Sequence, residues 1–174
     1  MTADDSATKT VCPGCGLQTT ANGSIPDARY NASGECWDVY CELSAYTLSR
    51  GYSTFIHQHA VDAYNLQHAV GTASNIGTAF SLIGLYLAVE RGFSGRAVQR
   101  AHMALASKRK QWPKLERPQT HAELTVVDVM RAEPGQSRDA LIMQWAAAVW
   151  TNWSGAHDWT RRICEQMLDV RSEQ

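Results

Sequence analysis

Cys12-Pro13-Gly14-Cys15-Gly16 is the stretch on which the reading of this chain turns. Two thiols three residues apart can grip one tetrahedral ion if the chain between them turns tightly. Pro13 and Gly14 favour that turn, and Gly16 can take a positive φ that aims amides back at sulfur. The surrounding segment, Val11 to Ser33, holds Pro13, Pro26 and three glycines with few apolar residues and no sustained period. Such a segment needs a staple, and a metal is the expected one. A redox dithiol is the competing reading. It is disfavoured because no strand-then-helix pattern surrounds the pair.

The knuckle supplies two ligands, and Cys36, Cys41, His57, His59 and His68 are the candidates to complete the set. Helix geometry prunes them. On one straight helix, His57 and His68 share a face but lie roughly 16 Å apart along the axis, whereas the ligands of one zinc lie within about 4 Å of each other. They therefore do not share an ion unless the helix breaks. The expected set is Cys12, Cys15, Cys36 and one histidine, His68 or His57. The plain alternative for Cys36 is a small buried residue beside Trp37.

From Gly34 onward the spacing becomes helical. Trp37, Tyr40, Cys41, Ser44 and Leu48 form a first stripe, ended by Gly51. A second helix is expected from an N-cap at Ser53 to about Val70, and a third, apolar nearly all round, from Ser74 to Glu90. Ser94 opens a fourth, and Thr120 with Glu123 has capping-box spacing, as more loosely does Thr125 with Asp128, before a short one. Ser137 caps a long C-terminal helix or pair of helices, with Gly155 as its bend. Met1 to Thr10 reads as a disordered tail, residues 11–174 as one domain, and no stretch reads as a convincing strand. The uncharged run Ala69 to Val89 is interrupted by glycines and hydroxyl residues, so it reads as a central bundle helix rather than a membrane span. The fold class expected is mainly α: a single-domain helical bundle with an irregular N-terminal metal-binding segment.

A formal net charge of −1 gives no general pull toward nucleic acid or a membrane surface. No apolar leader opens the sequence, and five cysteines with two in a CxxC suit a cytoplasmic, metal-binding use of thiols better than a disulfide framework. There is no phosphate-binding glycine loop, dinucleotide fingerprint, H-E-x-x-H or nucleophile elbow.

Two further groupings bear on chemistry. Asp62 stands among His57, His59, Tyr64, Asn65 and His68 on the second helix. It can orient an imidazole, ligate a metal or act as general base, or simply sit in a buried hydrogen-bond network. Trp150, Trp153 and His157 share one side of the last helical stretch, either lining an apolar pocket with one polar handle or forming an aromatic core edge. Asp62, His157 and Tyr64 are the catalytic candidates. His59, His102 and His121 read as structural.

The chain resembles an uncharacterised bacterial family, a domain of unknown function, through CPGCG at Cys12 to Gly16, Gly34-Glu35-Cys36-Trp37, Val61-Asp62-Ala63-Tyr64-x-x-Gln67-His68, Glu90-Arg91-Gly92 and Leu124-Thr125-Val126-x-Asp128-Val129. The resemblance spans Val11 to Ile163 and implies no nameable activity. It also implies a histidine near Ala28, which this chain lacks, so a metal site using that position is in doubt; Cys41 is a candidate substitute.

Two functions follow as expectations. The first is a zinc-dependent enzyme of hydrolase or lyase type, acting on a small molecule in specialised metabolism. The metal would be a Lewis acid or water activator, which requires an open coordination position. The second is a non-catalytic helical module with a structural zinc that binds a ligand or protein. A thiol redox protein is a weaker third.

Overall fold

The computed structural model describes residues 9–51, 53–69, 75–108 and 111–168. Seven α-helices and one small antiparallel sheet make up the regular structure of these residues. The sheet pairs β1 (Lys9–Val11) with β2 (Gln18–Thr20) in the register Thr10 to Thr19, and the Cys12–Gly16 knuckle is the turn that joins them. This corrects two expectations. A strand pair exists, and Lys9 and Thr10 belong to it rather than to a disordered tail, whose residues 1–8 lie outside the described ones. The sequence signal was weak because each strand has only three residues, set by the knuckle's geometry rather than by apolar alternation.

Helix α1 (Gly34–Ser49) is capped by Ser33, whose hydroxyl accepts the Cys36 amide, and it stops at Gly51 with φ +88°. Helix α2 (His57–Gln67) starts four residues after the expected cap at Ser53. The reason is tertiary. Phe55 takes a left-handed conformation (φ 51°), the Arg96 guanidinium lies 4.4 Å from its ring centroid, and its carbonyl packs directly against Gly95. The chain is thus committed to a turn where local preference favoured helix. Helix α3 (Asn75–Val89) is buried along most of its length, as expected of a helix without a polar face.

Helix α4 (Gly95–Lys108) is capped by Ser94 Oγ, and α5 (Val126–Arg131) by the capping box of Thr125 and Asp128. The Thr120–Glu123 pair, a closer match to a capping box than Thr125–Asp128, makes no such cap; Thr120 instead bonds Asn152. Helix α6 (Gln136–Asn152) and α7 (His157–Met167) are parted by a 3-10 turn at Ser154–Ala156, around Gly155.

Helix α2 is the hub, packing on α1, α3, α4 and α6. Trp145 of α6 is fully buried against it, with its indole N–H on Gln67 Oε1 at 3.0 Å and the Gln67 amide on the Leu124 carbonyl at 2.8 Å. Those bonds tie α6, the end of α2 and the strand-free segment before α5 into one layer beneath the knuckle. Among the described residues, no helix is long and apolar enough to cross a membrane.

Candidate metal centre

Three elements bring the four donor residues together. The β1–β2 knuckle carries Cys12 and Cys15, the first turn of α1 carries Cys36, and His68 is the first residue past α2. Their ligand atoms all lie within 4.8 Å of one another, and all four residues are buried. This group can hold a metal ion.

Local bonding aims each donor. In the knuckle, Cys12 N–H donates to Leu17 O and Gly16 N–H to Cys12 O, both at 2.8 Å, and Gly16 takes φ +76°. The Ser33 amide donates to Cys12 Sγ at 3.4 Å. His68 lies where α2 ends, and its Nδ1 is 2.9 Å from the Tyr64 carbonyl. A carbonyl only accepts, so Nδ1 carries the proton and the Nε2 lone pair is left facing Cys36 Sγ at 3.3 Å. An imidazole whose second nitrogen is pinned to a backbone oxygen is the usual arrangement of a metal-binding histidine.

Gly14 is the point where knuckle and helix end touch. A β-carbon there would stand 2.5 Å from both the Asn31 carbonyl oxygen and His68 Cδ2. Asn31 in turn donates its amide to the His68 carbonyl at 2.8 Å. His121 donates Nδ1–H to the Gly14 carbonyl at 3.0 Å, and its ring covers Gly16. Nothing in the spacing of the sequence pointed to His121, which lies 107 residues from Gly14.

Electrostatics also favour a cation. Hydrogen bonds from Cys15 and then Cys36 hold the Cys12 thiol far below its ordinary range. Hydrogen bonding to Cys12 pushes Cys15 up to about 12, and hydrogen bonding to Cys12 and then Cys15 pushes Cys36 higher still, with burial adding to both. Among protein groups alone the cluster thus tolerates one thiolate. A divalent cation would let all three thiols ionise.

The remaining candidates are elsewhere. His57 Nδ1 bonds Thr47 Oγ1 at 2.8 Å, on the far end of α2 from His68, so the helix separates the two histidines as the axial distance required. Cys41 is exposed and is not among the four. Tyr64 stacks between Tyr40 (3.7 Å) and His68 (4.0 Å) and directs its hydroxyl to Cys36 Sγ at 3.8 Å. Asp62 faces the other way, toward α3, where only a glycine fits: a β-carbon on Gly84 would collide with its carboxylate. Gln58 donates to its Oδ1 at 3.1 Å, while Oδ2 has no partner among the described residues. Burial pushes this carboxyl well above the usual carboxylate range. His157 stacks on Trp150 at 3.8 Å and donates Nε2–H to the Trp150 carbonyl at 2.8 Å. Among the described residues, Asp62, Tyr64 and His157 therefore have three different sets of neighbours. His102 donates to the Phe80 carbonyl and stacks on its ring, a structural role.

Comparison with known proteins gives one match: the model of a family of unknown function (DUF5946) covers residues 10–154. No curated protein and no solved structure matches the chain.

Proposed function

The chain belongs to the family of unknown function DUF5946, and from its geometry we propose that it is a zinc-stapled helical module that binds a small molecule, with the zinc closed and structural. The observation that carries this reading is the buried Cys12, Cys15, Cys36 and His68 set. Three thiolates and one imidazole are a common structural zinc set, and soft sulfur ligands disfavour magnesium or calcium. Two sulfurs about 2.3 Å from a tetrahedral ion lie about 3.8 Å apart, and a sulfur and an imidazole nitrogen about 3.6 Å apart. The Cys15–Cys36 distance is 3.8 Å and the Cys36–His68 distance 3.3 Å.

Four protein ligands fill a tetrahedral ion and leave no position for water or substrate. That weighs against the zinc-dependent hydrolase or lyase of specialised metabolism, which needs an open site. It suits a staple instead: the ion joins the β1–β2 knuckle, the start of α1 and the end of α2, where the intervening segment has little core of its own. Tyr64, stacked on His68, shields the cluster on the helix side, and His121 holds the knuckle carbonyl on the other.

The test is metal analysis of the purified chain together with Cys15→Ser and Cys41→Ser. One zinc per chain is expected in the parent and in Cys41→Ser, and less than one, with a lower melting temperature, in Cys15→Ser. Full zinc content and unchanged melting in Cys15→Ser would overturn the reading. A chelator that abolishes an activity while leaving the fold intact would favour the enzyme.

A further inference from the structure

We propose that Tyr64 is the positioning residue of the metal centre: it holds two of the four donors at once, and its hydroxyl hydrogen-bonds the ionised Cys36 sulfur when the metal is bound. The proposal deepens the zinc reading given above and rests on it.

Tyr64 stands one helical turn before His68, so the two side chains share a stripe at the end of α2. Their rings stack at 4.0 Å with an interplanar angle of 26°. The Tyr64 carbonyl accepts both the His68 amide at 3.0 Å and His68 Nδ1–H at 2.9 Å. The backbone of Tyr64 thus fixes the tautomer that leaves Nε2 for the ion, and its ring fixes the imidazole plane. The same side chain reaches across to α1, where its hydroxyl donates to Cys36 Sγ at 3.8 Å. The ring has no room to swing away. Tyr40 stacks on it at 3.7 Å and 10°, Tyr30 meets it edge-on at 5.2 Å, and it is fully buried. A group so enclosed has no access to a substrate, so its role is on the ligands themselves.

A divalent ion with three thiolates and a neutral imidazole carries a net negative charge, and here all four donor residues are buried. Hydrogen-bond donors aimed at sulfur offset such a charge. The Ser33 amide supplies one to Cys12 at 3.4 Å, and the Tyr64 hydroxyl supplies one to Cys36. The first belongs to the backbone, whereas the second can be deleted alone. A hydrogen bond to an ionised sulfur is stronger than one to a neutral thiol, so the hydroxyl favours the loaded state, in which Cys36 is a thiolate. It also lowers the energy of the sulfur lone pairs, which tunes how strongly they donate to the metal.

The test loads the full chain with Co(II), whose sulfur-to-metal charge-transfer band reports on the thiolates, and compares Tyr64→Phe with the parent. Phenylalanine keeps the ring, the stack and the carbonyl and removes only the hydroxyl. The band is expected to move to longer wavelength. Zinc affinity, measured by competition with a chromophoric chelator, should fall about tenfold, the lower end of what loss of a ligand's orienting partner costs. Tyr40→Phe deletes a hydroxyl from the same stack, one with no bond to a cluster sulfur among the described residues, and should leave both readings unchanged. In the zinc-loaded parent, nuclear magnetic resonance should show a tyrosine hydroxyl proton that exchanges slowly with solvent and lies close to the Cys36 β protons, a reading that needs no variant. A charge-transfer band unmoved in Tyr64→Phe, whatever its zinc affinity, or moved equally in Tyr40→Phe, or no such hydroxyl proton in the parent, would overturn the proposal and leave the zinc staple standing. A parent that takes up neither Co(II) nor zinc would sink both.

Discussion

Replacing Gly14 with alanine puts a methyl group into the seam between the knuckle and the end of α2. The new β-carbon would lie 2.5 Å from the Asn31 carbonyl oxygen and 2.5 Å from His68 Cδ2, and 3.0 Å from the Gln67 carbonyl oxygen. Ordinary contact begins at 3.4 Å, so about 0.9 Å must be found on two sides at once. Neither neighbour can yield cheaply. Asn31 is backbone, tied by its amide to the His68 carbonyl, and the His68 ring is pinned through Nδ1 to the Tyr64 carbonyl. Overpacking of this kind costs about 1–3 kcal/mol. At an unfolding entropy of about 2.1 cal/mol/K per residue, the 174-residue chain has about 0.37 kcal/mol/K, so the melting temperature should fall by about 3–8 °C. If His68 turns to make room, its Nε2 leaves the sulfurs, and zinc affinity should fall about 10–100-fold, the scale seen when a ligand's orienting partner is lost. The assays are thermal melts of the metal-loaded protein and zinc competition against a chromophoric chelator. Gly155→Ala is the control, because a β-carbon there meets nothing within 4 Å. If Gly14→Ala matched that control in both melting temperature and zinc affinity, the packing of knuckle on helix end would be wrong.

Asp62→Asn should stabilise the protein increasingly as pH rises. The folded pKa of Asp62 is raised above the unfolded value of about 3.9, so its stability is fully present below that value and is lost as pH rises through the folded pKa. The gap in melting temperature between Asp62→Asn and the parent should widen from pH 5 to pH 8, and a pH-independent gap would contradict the burial argument. Thr125→Ala removes the capping box of α5 and should cost about 1 kcal/mol without changing zinc stoichiometry, as read by urea melts and metal analysis. Chelation of the metal should lower the melting temperature and expose the knuckle to proteolysis around Cys12 to Cys15, as mapped by mass spectrometry; an unchanged cleavage pattern would argue against a staple.

Much of the architecture was legible because it is local. The three-four spacing of Trp37, Tyr40 and Ser44, the stop at Gly51 and the capping pair Thr125–Asp128 act within a few residues, and helices α1 and α5 follow them. The axial-rise argument was local too, and it kept His57 and His68 apart. The start of α2 was not legible, since Ser53 offers a cap that Phe55, held by Arg96 and Gly95, overrides. The two three-residue strands escaped for a related reason: they exist because the knuckle folds the chain back, not because of their own side chains.

The sequence alone determined which atoms are available: two thiols in a tight turn, a third beside Trp37, and imidazoles at known spacing along a helix. The choice of His68 over His57 was made in three dimensions. It depends on where α2 stops, on the Tyr64 carbonyl taking the Nδ1 proton, and on Gly14 leaving room for the ring. The same holds for Asp62, whose seclusion is due to a glycine on α3. Spacing along a chain constrains groups on one element, whereas coordination and ligand binding need groups from several, and their separation is settled only when those elements pack.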